Sequence, residues 1–274
     1  MAMQNLIDRF SLRGKRFTVL TDDAFRDLGE DLCAAVSGGV RRDLSALALA
    51  DSSWGYILLI CTPQSYLACQ LYRLLDFSLG EPVIPNVPSR VWVFPRDSLQ
   101  RILSAPLQED IAERDRLLAL LPSHRRMRIR TQRGTDLTFQ SRSWIPLDFE
   151  VCTAPVEESV NGRIVVDGAL FFQKIHGEII LTIRQGRLTD VSGDPESVEL
   201  YRSMTQKSFA DPRNRQLAEI GFGFCQGAQI SDCFMEAEAV RSSCHFCFGN
   251  NVCYGGENAS DFHGNSVLIR EPVI

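Results

Sequence analysis

Apolar runs and segments of helical spacing alternate along the first part of the chain. Three short runs have the β-rich composition of buried strands: residues 16–20, 56–61 and 91–94. Each is followed by a segment that predicts a helix: residues 25–36, 64–75 and 95–103. Strands that alternate with helices are typical of a parallel sheet with helices on both faces. We therefore expect an N-terminal doubly wound α/β domain, although the GxGxxG fingerprint of dinucleotide-binding folds is missing after its first strand.

The pattern changes after a helical segment over residues 107–121, which ends at Pro122. Short strands then dominate, and they are predicted at residues 127–131, 137–140, 164–166 and 178–183. Turns are predicted at Gly134, Asn161-Gly162 and Gln185-Gly186, and helices at residues 195–204 and around residues 214–221. We place the domain boundary near Ser123, so that an α/β domain spans residues 1–123 and a strand-rich α+β domain spans residues 124–274.

Composition and charge narrow the class of protein. Hydrophobic residues make up 45% of the chain and charged residues 23%, and no run approaches the ~18 apolar residues of a membrane helix. The N-terminus lacks the features of a secretory signal, so we predict a cytoplasmic protein with no membrane partner. A formal net charge of −5 disfavours a nucleic-acid partner. The one basic stretch, residues 124–133, alternates Arg126, Arg128 and Arg130 with uncharged residues, which predicts a strand with one solvated face.

The nine cysteines are an odd number, and without a secretory signal we expect thiols rather than disulfides. Four of them have apolar neighbours and are predicted as small core residues: Cys33, Cys61, Cys69 and Cys152.

The densest group of candidate ligands lies in residues 236–265, which contain His245 and His263, three cysteines and many acidic and amide side chains. Cys244 and Cys247 have C-x-x-C spacing, and together with Cys253 and the enclosed His245 they allow a structural zinc knuckle. A nucleophilic Cys247 activated by the nearby histidine is a second alternative. A pocket with polar histidines and no metal is a third. Glu236 and Glu238 are expected on a solvated face.

Five segments of the second domain carry a resemblance to a known family. The run DFEVCTAPVEESVNGRIVVDG begins at Asp148, and the others are RGTDLTF (133–139), LAEIGFG (217–223), HFCFGNN (245–251) and GGENASDFHGN (255–265). Together they resemble the metal-dependent aminopeptidase T/S family and the related dihydroxypyridine dioxygenases. The resemblance covers the whole second domain, about half of the chain.

This resemblance implies a metal centre and assigns residues to it. Glu150, Glu219, His245 and His263 stand at positions of family metal ligands, the two glutamates being ligands or general bases. Asn265 replaces the family's aspartate. The family's ligand tyrosine has no counterpart at the expected spacing, with Tyr254 nearby but displaced, and relatives are commonly dimers.

The residue types at these positions also favour a metal site, independently of the resemblance. Two histidines with one carboxylate leave open positions on iron(II), and imidazole also suits zinc. An amide such as that of Asn265 is a much weaker ligand than a carboxylate. Asp261 lies two residues before His263, so on a strand both side chains would share a face and both could bind the metal.

Two hypotheses from different classes follow. The first is a metal-dependent enzyme that modifies a peptide or a nitrogen-containing small molecule. Oxidation with iron(II) ranks ahead of hydrolysis with zinc, because the missing aspartate and tyrosine leave few ligands for a two-metal hydrolase. The second is a metal-free protein that binds a peptide or small molecule and acts with a partner enzyme. A homodimer is compatible with both. The candidate substrate-binding residues are Arg142, Asn250, Asn251, Tyr254, Asn258 and Asn265.

Overall fold

A computed structural model describes residues 2–50, 52–68, 75–76, 81–82, 89–170 and 173–269. The chain divides into two compact units, Met1–Leu107 and Gln108–Ile274. The boundary predicted near Ser123 stays a prediction. Within the described residues, no helix is long and apolar enough to cross a membrane.

The first unit contains a parallel four-stranded sheet and helices. Its strands are β1 (Phe17–Thr21), β2 (Gly39–Asp43), β3 (Tyr56–Cys61), β4 (Leu75–Asp76), β5 (Glu81–Pro82) and β6 (Ser89–Val93). Its helices are α1 (Ala2–Arg9), α2 (Arg26–Ala35), α3 (Pro63–Ala68) and α4 (Arg96–Ser104). The sheet order is β2-β1-β3-β6 with every pair parallel, while β4 and β5 form a separate antiparallel pair. The α/β prediction is confirmed.

The helix predicted over residues 64–75 is described in part. α3 is described as Pro63–Ala68, and residues 69–74, including Cys69, lie outside the described residues. The last residue of the predicted helix, Leu75, belongs to β4 and pairs with Pro82 of β5, so the prediction is wrong at this residue.

The second unit is rich in antiparallel strands. They are β7 (Arg126–Arg130), β8 (Asp136–Gln140), β9 (Ile145–Pro146), β10 (Glu150–Thr153), β11 (Asn161–Val166), β12 (Ala169–Leu170), β13 (Gln173–Lys174), β14 (Ile179–Arg184), β15 (Arg187–Gly193), β16 (Leu217–Gly223), β17 (Cys244–Gly249) and β18 (His263–Ile269). The helices are α5 (Leu107–Leu120), α6 (Pro195–Thr205) and α7 (Phe234–Ala239). Two sheets result, with orders β15-β14-β11-β8-β7 and β13-β12-β18-β17-β16-β10-β9.

A large hydrophobic core joins the two sheets of this unit. It includes Ile129, Leu137 and Ile164 from the five-stranded sheet and Ile220 and Phe246 from the seven-stranded sheet. In β7 the arginines are exposed and the residues between them are buried, which confirms the predicted solvated face. One face of the seven-stranded sheet therefore packs in this core, and the side chains on its other face point away from the core.

The helix predicted around residues 214–221 is wrong. Residues Pro212–Arg215 form one short 3-10 helix, and β16 follows, so Glu219 lies on a strand. All seven residues of β16 are buried, and a strand buried on both faces lacks the alternation that identifies strands in a sequence.

The turn predicted at Asn161-Gly162 is also wrong, because both residues lie inside β11. Gly162 has φ +134°, and a Cβ there would overlap the carbonyl oxygen of Asp136 in the neighbouring strand. This glycine marks a close approach of two backbones rather than a turn. The turn at Gln185-Gly186 is confirmed between β14 and β15, with φ positive at both residues.

We predict that Gly162→Ala lowers the free energy of unfolding by about 3 kcal/mol or more, because it adds a backbone overlap to an unfavourable φ. Gly134→Ala is the matched control. Its φ is +105°, but a Cβ there would come no closer than 3.4 Å to any atom, so we expect a loss of about 1 kcal/mol. Urea unfolding measures both losses, and equal losses would contradict the close approach of β8 and β11.

Candidate metal centre

The candidate ligands project from one face of the seven-stranded sheet. Four adjacent strands, in the order β18-β17-β16-β10, carry them. Cys152 lies opposite Gly221, which lies opposite His245, and Glu219 lies opposite Cys247. Residues in register share a sheet face, and the alternate residues of these strands belong to the core. The sheet therefore has an apolar face and a face of potential metal ligands, which we call the ligand face.

His245 lies across the neighbouring strand because that strand has a glycine at the contact. The side chain is 1% exposed, and Nε2 lies 2.9 Å from Glu150 Oε2 and 3.9 Å from Glu219 Oε1. A Cβ at Gly221 would overlap the imidazole ring, and its three nearest atoms would all be ring atoms of His245. Gly221 therefore provides the space through which the ring reaches both carboxylates.

His263 is the first residue of β18, and its ring is held from both sides. Nδ1 lies 2.6 Å from the Asn250 carbonyl oxygen, to which it donates a hydrogen bond, and Nε2 lies 3.0 Å from Glu219 Oε2. A backbone carbonyl on one ring nitrogen is the usual device that fixes a histidine so that its other nitrogen can bind a metal.

Glu219 is the carboxylate that the two histidines share. Burial would raise its pKa, but the interactions with His245 and His263 outweigh burial and lower the pKa of Glu219. Burial would lower the pKa of His245, yet the charge of Glu150 raises it. The pKa of His263 is raised against burial by its hydrogen bond with Glu219. Without a metal, the centre is thus a buried network of charged groups.

Three buried atoms of this network form no hydrogen bond with any described residue: Glu150 Oε2, Glu219 Oε1 and His245 Nδ1. The 2.9 Å contact between Glu150 and His245 is close but lacks the alignment of a hydrogen bond. Buried polar atoms are nearly always satisfied, and an unsatisfied cluster calls for a cation or water.

The spacing of the donor atoms suits a divalent metal. Ligand atoms converge within 4.8 Å in three groups: Glu219, His245 and Cys247; Glu150, Cys152 and Glu219; Glu150, Glu238 and His245. Ligands bound at about 2.0–2.3 Å to one ion stand about 3–4 Å apart, so each group fits a metal with little movement. His263 belongs to none of these three groups and contacts them through Glu219. Imidazole and carboxylate ligands suit iron and zinc alike.

Glu238 is a site residue that sequence reasoning missed. It was expected on a solvated face, but α7 places it partly buried against the ligand face, and Glu236 on the same helix is fully buried. The signal was the apolar sequence around these glutamates, FMEAEAV, which is unusual for a solvated face. Cys152, predicted as a core residue, is buried but belongs to the ligand face.

The zinc-knuckle alternative does not fit the strand geometry. Cys244 points into the hydrophobic core, whereas His245 and Cys247 point to the ligand face. The C-x-x-C spacing therefore divides its two thiols between opposite sides of β17.

Three predicted substrate-binding amides fold the loop that leads to His263. Asn250 donates to the Ser260 carbonyl at 2.8 Å and accepts from the Val252 amide at 2.9 Å. Asn251 Oδ1 accepts from the backbone amide of Asn258, and the side-chain Nδ2 of Asn258 donates to the Gly249 carbonyl at 2.6 Å. These bonds give the amides a structural role, and their contact with substrate stays a prediction.

Arg142 belongs to the support of the same loop. It pairs with Glu157 at 2.8 Å and donates to the Pro155 carbonyl. The other Glu157 oxygen accepts from Asn251 Nδ2 and from the Glu257 amide, each at 2.8 Å. Arg142 thus braces the loop through Glu157, and a role in substrate binding stays a prediction.

The remaining predicted site residues are Asp261, Asn265 and Tyr254. Asp261 is exposed and precedes β18, so the strand argument that paired it with His263 fails, and no described group of converging ligand atoms includes it. Asn265 lies in β18, but its side chain is outside the described residues. The Tyr254 ring lies 5.6 Å from the His263 ring, and burial together with the charge of Glu219 raises the pKa of its hydroxyl. Tyr254 therefore remains a hydrogen-bond donor.

Comparison with known proteins points to one family. Residues 143–267, just under half of the chain, match the family model described as NicX: 2,5-dihydroxypyridine 5,6-dioxygenase. This segment contains Glu150, Glu219, His245 and His263. The structure is similar to that of 2,5-dihydroxypyridine dioxygenase from Pseudomonas putida KT2440, with a TM-score of 0.66 and 18% identity over 98% of this chain and 91% of that chain.

None of the curated proteins matches this chain. The findings support the dioxygenase part of the sequence resemblance, whereas the aminopeptidase part stays a prediction.

We predict that Gly221→Ala lowers the free energy of unfolding by about 2–4 kcal/mol, because the added methyl group overlaps the His245 ring. In a His245→Ala background the same substitution should cost under about 1 kcal/mol. A double-mutant cycle by urea unfolding measures this coupling. Equal costs in both backgrounds would show that the ring does not occupy this space.

Stability near the loop should depend on pH through Glu157. Burial would raise its pKa, but hydrogen bonds from the Glu257 amide, Arg142 and Asn251 lower it. A carboxylate whose folded pKa lies below its unfolded value of about 4.3 stabilises the protein above that value, and the contribution disappears as pH falls through the folded pKa.

We therefore expect Glu157→Gln to cost about 1–2 kcal/mol at pH 7 and clearly less at pH 3. Glu158→Gln, at the exposed neighbouring residue, is the control and should cost little at either pH. Unfolding by urea at both pH values measures the difference. A cost of Glu157→Gln that does not change with pH would contradict the ionic role of this carboxylate.

Proposed function

We propose that this protein is a metal-dependent enzyme that uses non-haem iron(II) to oxidise a nitrogen-containing small molecule. The observation that supports this most is the buried cluster of His245, His263 and Glu219, in which Glu219 Oε1 and His245 Nδ1 form no hydrogen bond with a described residue. The cluster lies within the segment that matches the dioxygenase family.

The donor set has the composition that suits iron(II). His245 and His263 would hold the metal, with Glu219 as the carboxylate between them. Iron(II) bound by two histidines and one carboxylate keeps open positions and supplies dioxygen chemistry. Zinc is compatible with the same ligands, and the metal content decides between them.

The surrounding residues have separate tasks. The Asn250 carbonyl holds the His263 ring in one orientation and so keeps Nε2 directed at the centre. The Glu150 side chain is 16% exposed against 4% for Glu219, and its Oε2 has no hydrogen bond with a described residue. Glu150 is therefore the carboxylate that can accept a proton from a substrate hydroxyl. Tyr254, whose hydroxyl stays protonated because its pKa is raised, is available to donate a hydrogen bond to substrate beside His263.

The substrate class follows from these groups and from the family match. A hydroxylated pyridine has an acidic hydroxyl group for Glu150 and acceptor atoms for Tyr254. The family model and the similar structure are both named for 2,5-dihydroxypyridine, which makes this compound the first substrate to test.

The test is metal content and oxygen consumption in protein purified without oxygen or chelator. We expect about one equivalent of iron per chain, and oxygen consumption with 2,5-dihydroxypyridine. A His245→Ala/His263→Ala double variant should lose both. His176→Ala is the control, because this histidine is exposed and far in sequence from the ligand strands.

Other results would select the alternatives. Stoichiometric zinc with peptide cleavage would establish hydrolysis. Absence of metal, even after iron, zinc, cobalt or manganese is added back, would overturn the proposed function in favour of a metal-free binding protein. A homodimer stays a prediction of the family resemblance.

A further inference from the structure

The last turn of α7 lies directly on the ligand face. Gly223 of β16 has no side chain, and a Cβ there would overlap the carbonyl oxygens of Glu238 and Val240. Gly223 pairs in register with Glu150 of β10. The helix therefore approaches the sheet at the strand position beside Glu150, where a glycine admits its backbone.

This approach brings the Glu238 carboxylate to the centre from above the sheet. Ligand atoms of Glu238, Glu150 and His245 lie within 4.8 Å of one another. Glu238 Oε1 also lies 3.9 Å from the Cys247 sulfur on the ligand face. Glu238 thus reaches the same two residues, Glu150 and His245, whose close contact lacks a hydrogen bond.

Negative charge is concentrated at this position. Ligand atoms of Glu150 and Glu238 lie within 4.8 Å of each other and of His245, and both side chains are partly buried. Two carboxylates this close repel each other, and a divalent ion bound beside them reduces the repulsion.

A hydrogen-bonding role alone does not account for the buried atoms. Glu219 Oε1 and His245 Nδ1 belong to side chains that are 4% and 1% exposed, and neither atom has a hydrogen bond with a described residue. These atoms point to a ligand that the protein side chains do not replace.

We propose that Glu238 is a metal ligand of this centre, supplied by α7 beside Glu150 and His245. The inference rests on the proposed function, because it requires that the centre binds a metal. It adds a residue from outside the sheet, and it implies that the metal fastens α7 to the ligand face.

Glu238→Gln tests this, since glutamine keeps the shape and a hydrogen-bond acceptor for Cys247 but removes the charge. Manganese(II) and, without oxygen, iron(II) are titrated into chelator-treated protein, with affinity measured by calorimetry and manganese also by electron paramagnetic resonance. We expect Glu238→Gln to weaken both metals by about 100-fold or more, and Glu238→Asp by less. Glu236→Gln is the matched control on the same helix. Its carboxylate accepts from the Gln229 amide, and the variant should bind both metals as the wild type does.

Thermal melting separates a ligand from a structural residue. If Glu238 is a ligand, metal-free Glu238→Gln is at least as stable as the metal-free wild type, because the repulsion between Glu238 and Glu150 is gone, and the rise in Tm caused by metal shrinks. A structural role predicts the opposite pattern: a lower Tm without metal and an unchanged rise with metal.

The outcomes distinguish this inference from the proposed function. If the wild-type protein and Glu238→Gln bind metal with the same affinity, Glu238 is not a ligand, and the proposed function is unaffected. Wild-type protein that binds no metal overturns the proposed function itself. Weakened binding in Glu238→Gln and in Glu236→Gln alike also overturns the inference, because the effect would then belong to the helix rather than to this carboxylate.

Discussion

The shared carboxylate of Glu219 is the interaction on which the second unit depends. Its two oxygens face different histidines, at 3.0 Å for His263 and 3.9 Å for His245. A buried carboxylate is costly unless it is paired, and removing one partner leaves an uncompensated charge. The three strands β16, β17 and β18 must therefore keep their order and register for this group to be tolerated.

Glycine determines how closely the parts of the centre approach. Gly221 admits the His245 ring across the strand, and Gly223 admits the last turn of α7. Both occur in the short motif LAEIGFG, which also supplies Glu219. β16 thus provides the Glu219 carboxylate and the two glycines against which the His245 ring and the last turn of α7 pack.

Two kinds of strand could be predicted from the sequence. The alternation in β7 gave the correct element because solvent imposes a period on exposed residues. β1 and β3 are buried and were recognised as short apolar runs. β16 is also buried, but Glu219 and two glycines interrupt its apolar run, and it was mistaken for a helix. The resemblance proposed Glu150, Glu219 and both histidines, and the structure brings these four together. Residue spacing proposed Asp261, which precedes β18 and so does not share a strand with His263. Glu238 depends on how α7 docks on the sheet, and local sequence does not encode that contact.

The division of the sheet into an apolar face and a ligand face limits the insertions and deletions that the strands can tolerate. Side chains alternate along a strand with a period of two, so a slip of one residue in β16 would exchange the faces. Glu219 would enter the hydrophobic core, and Ile220 and Phe222 would replace it at the centre. Insertions and deletions that preserve the protein are therefore confined to connecting segments, or must occur in pairs within a strand. An error in the register of β16 during folding would therefore also remove Glu219 from the ligand face.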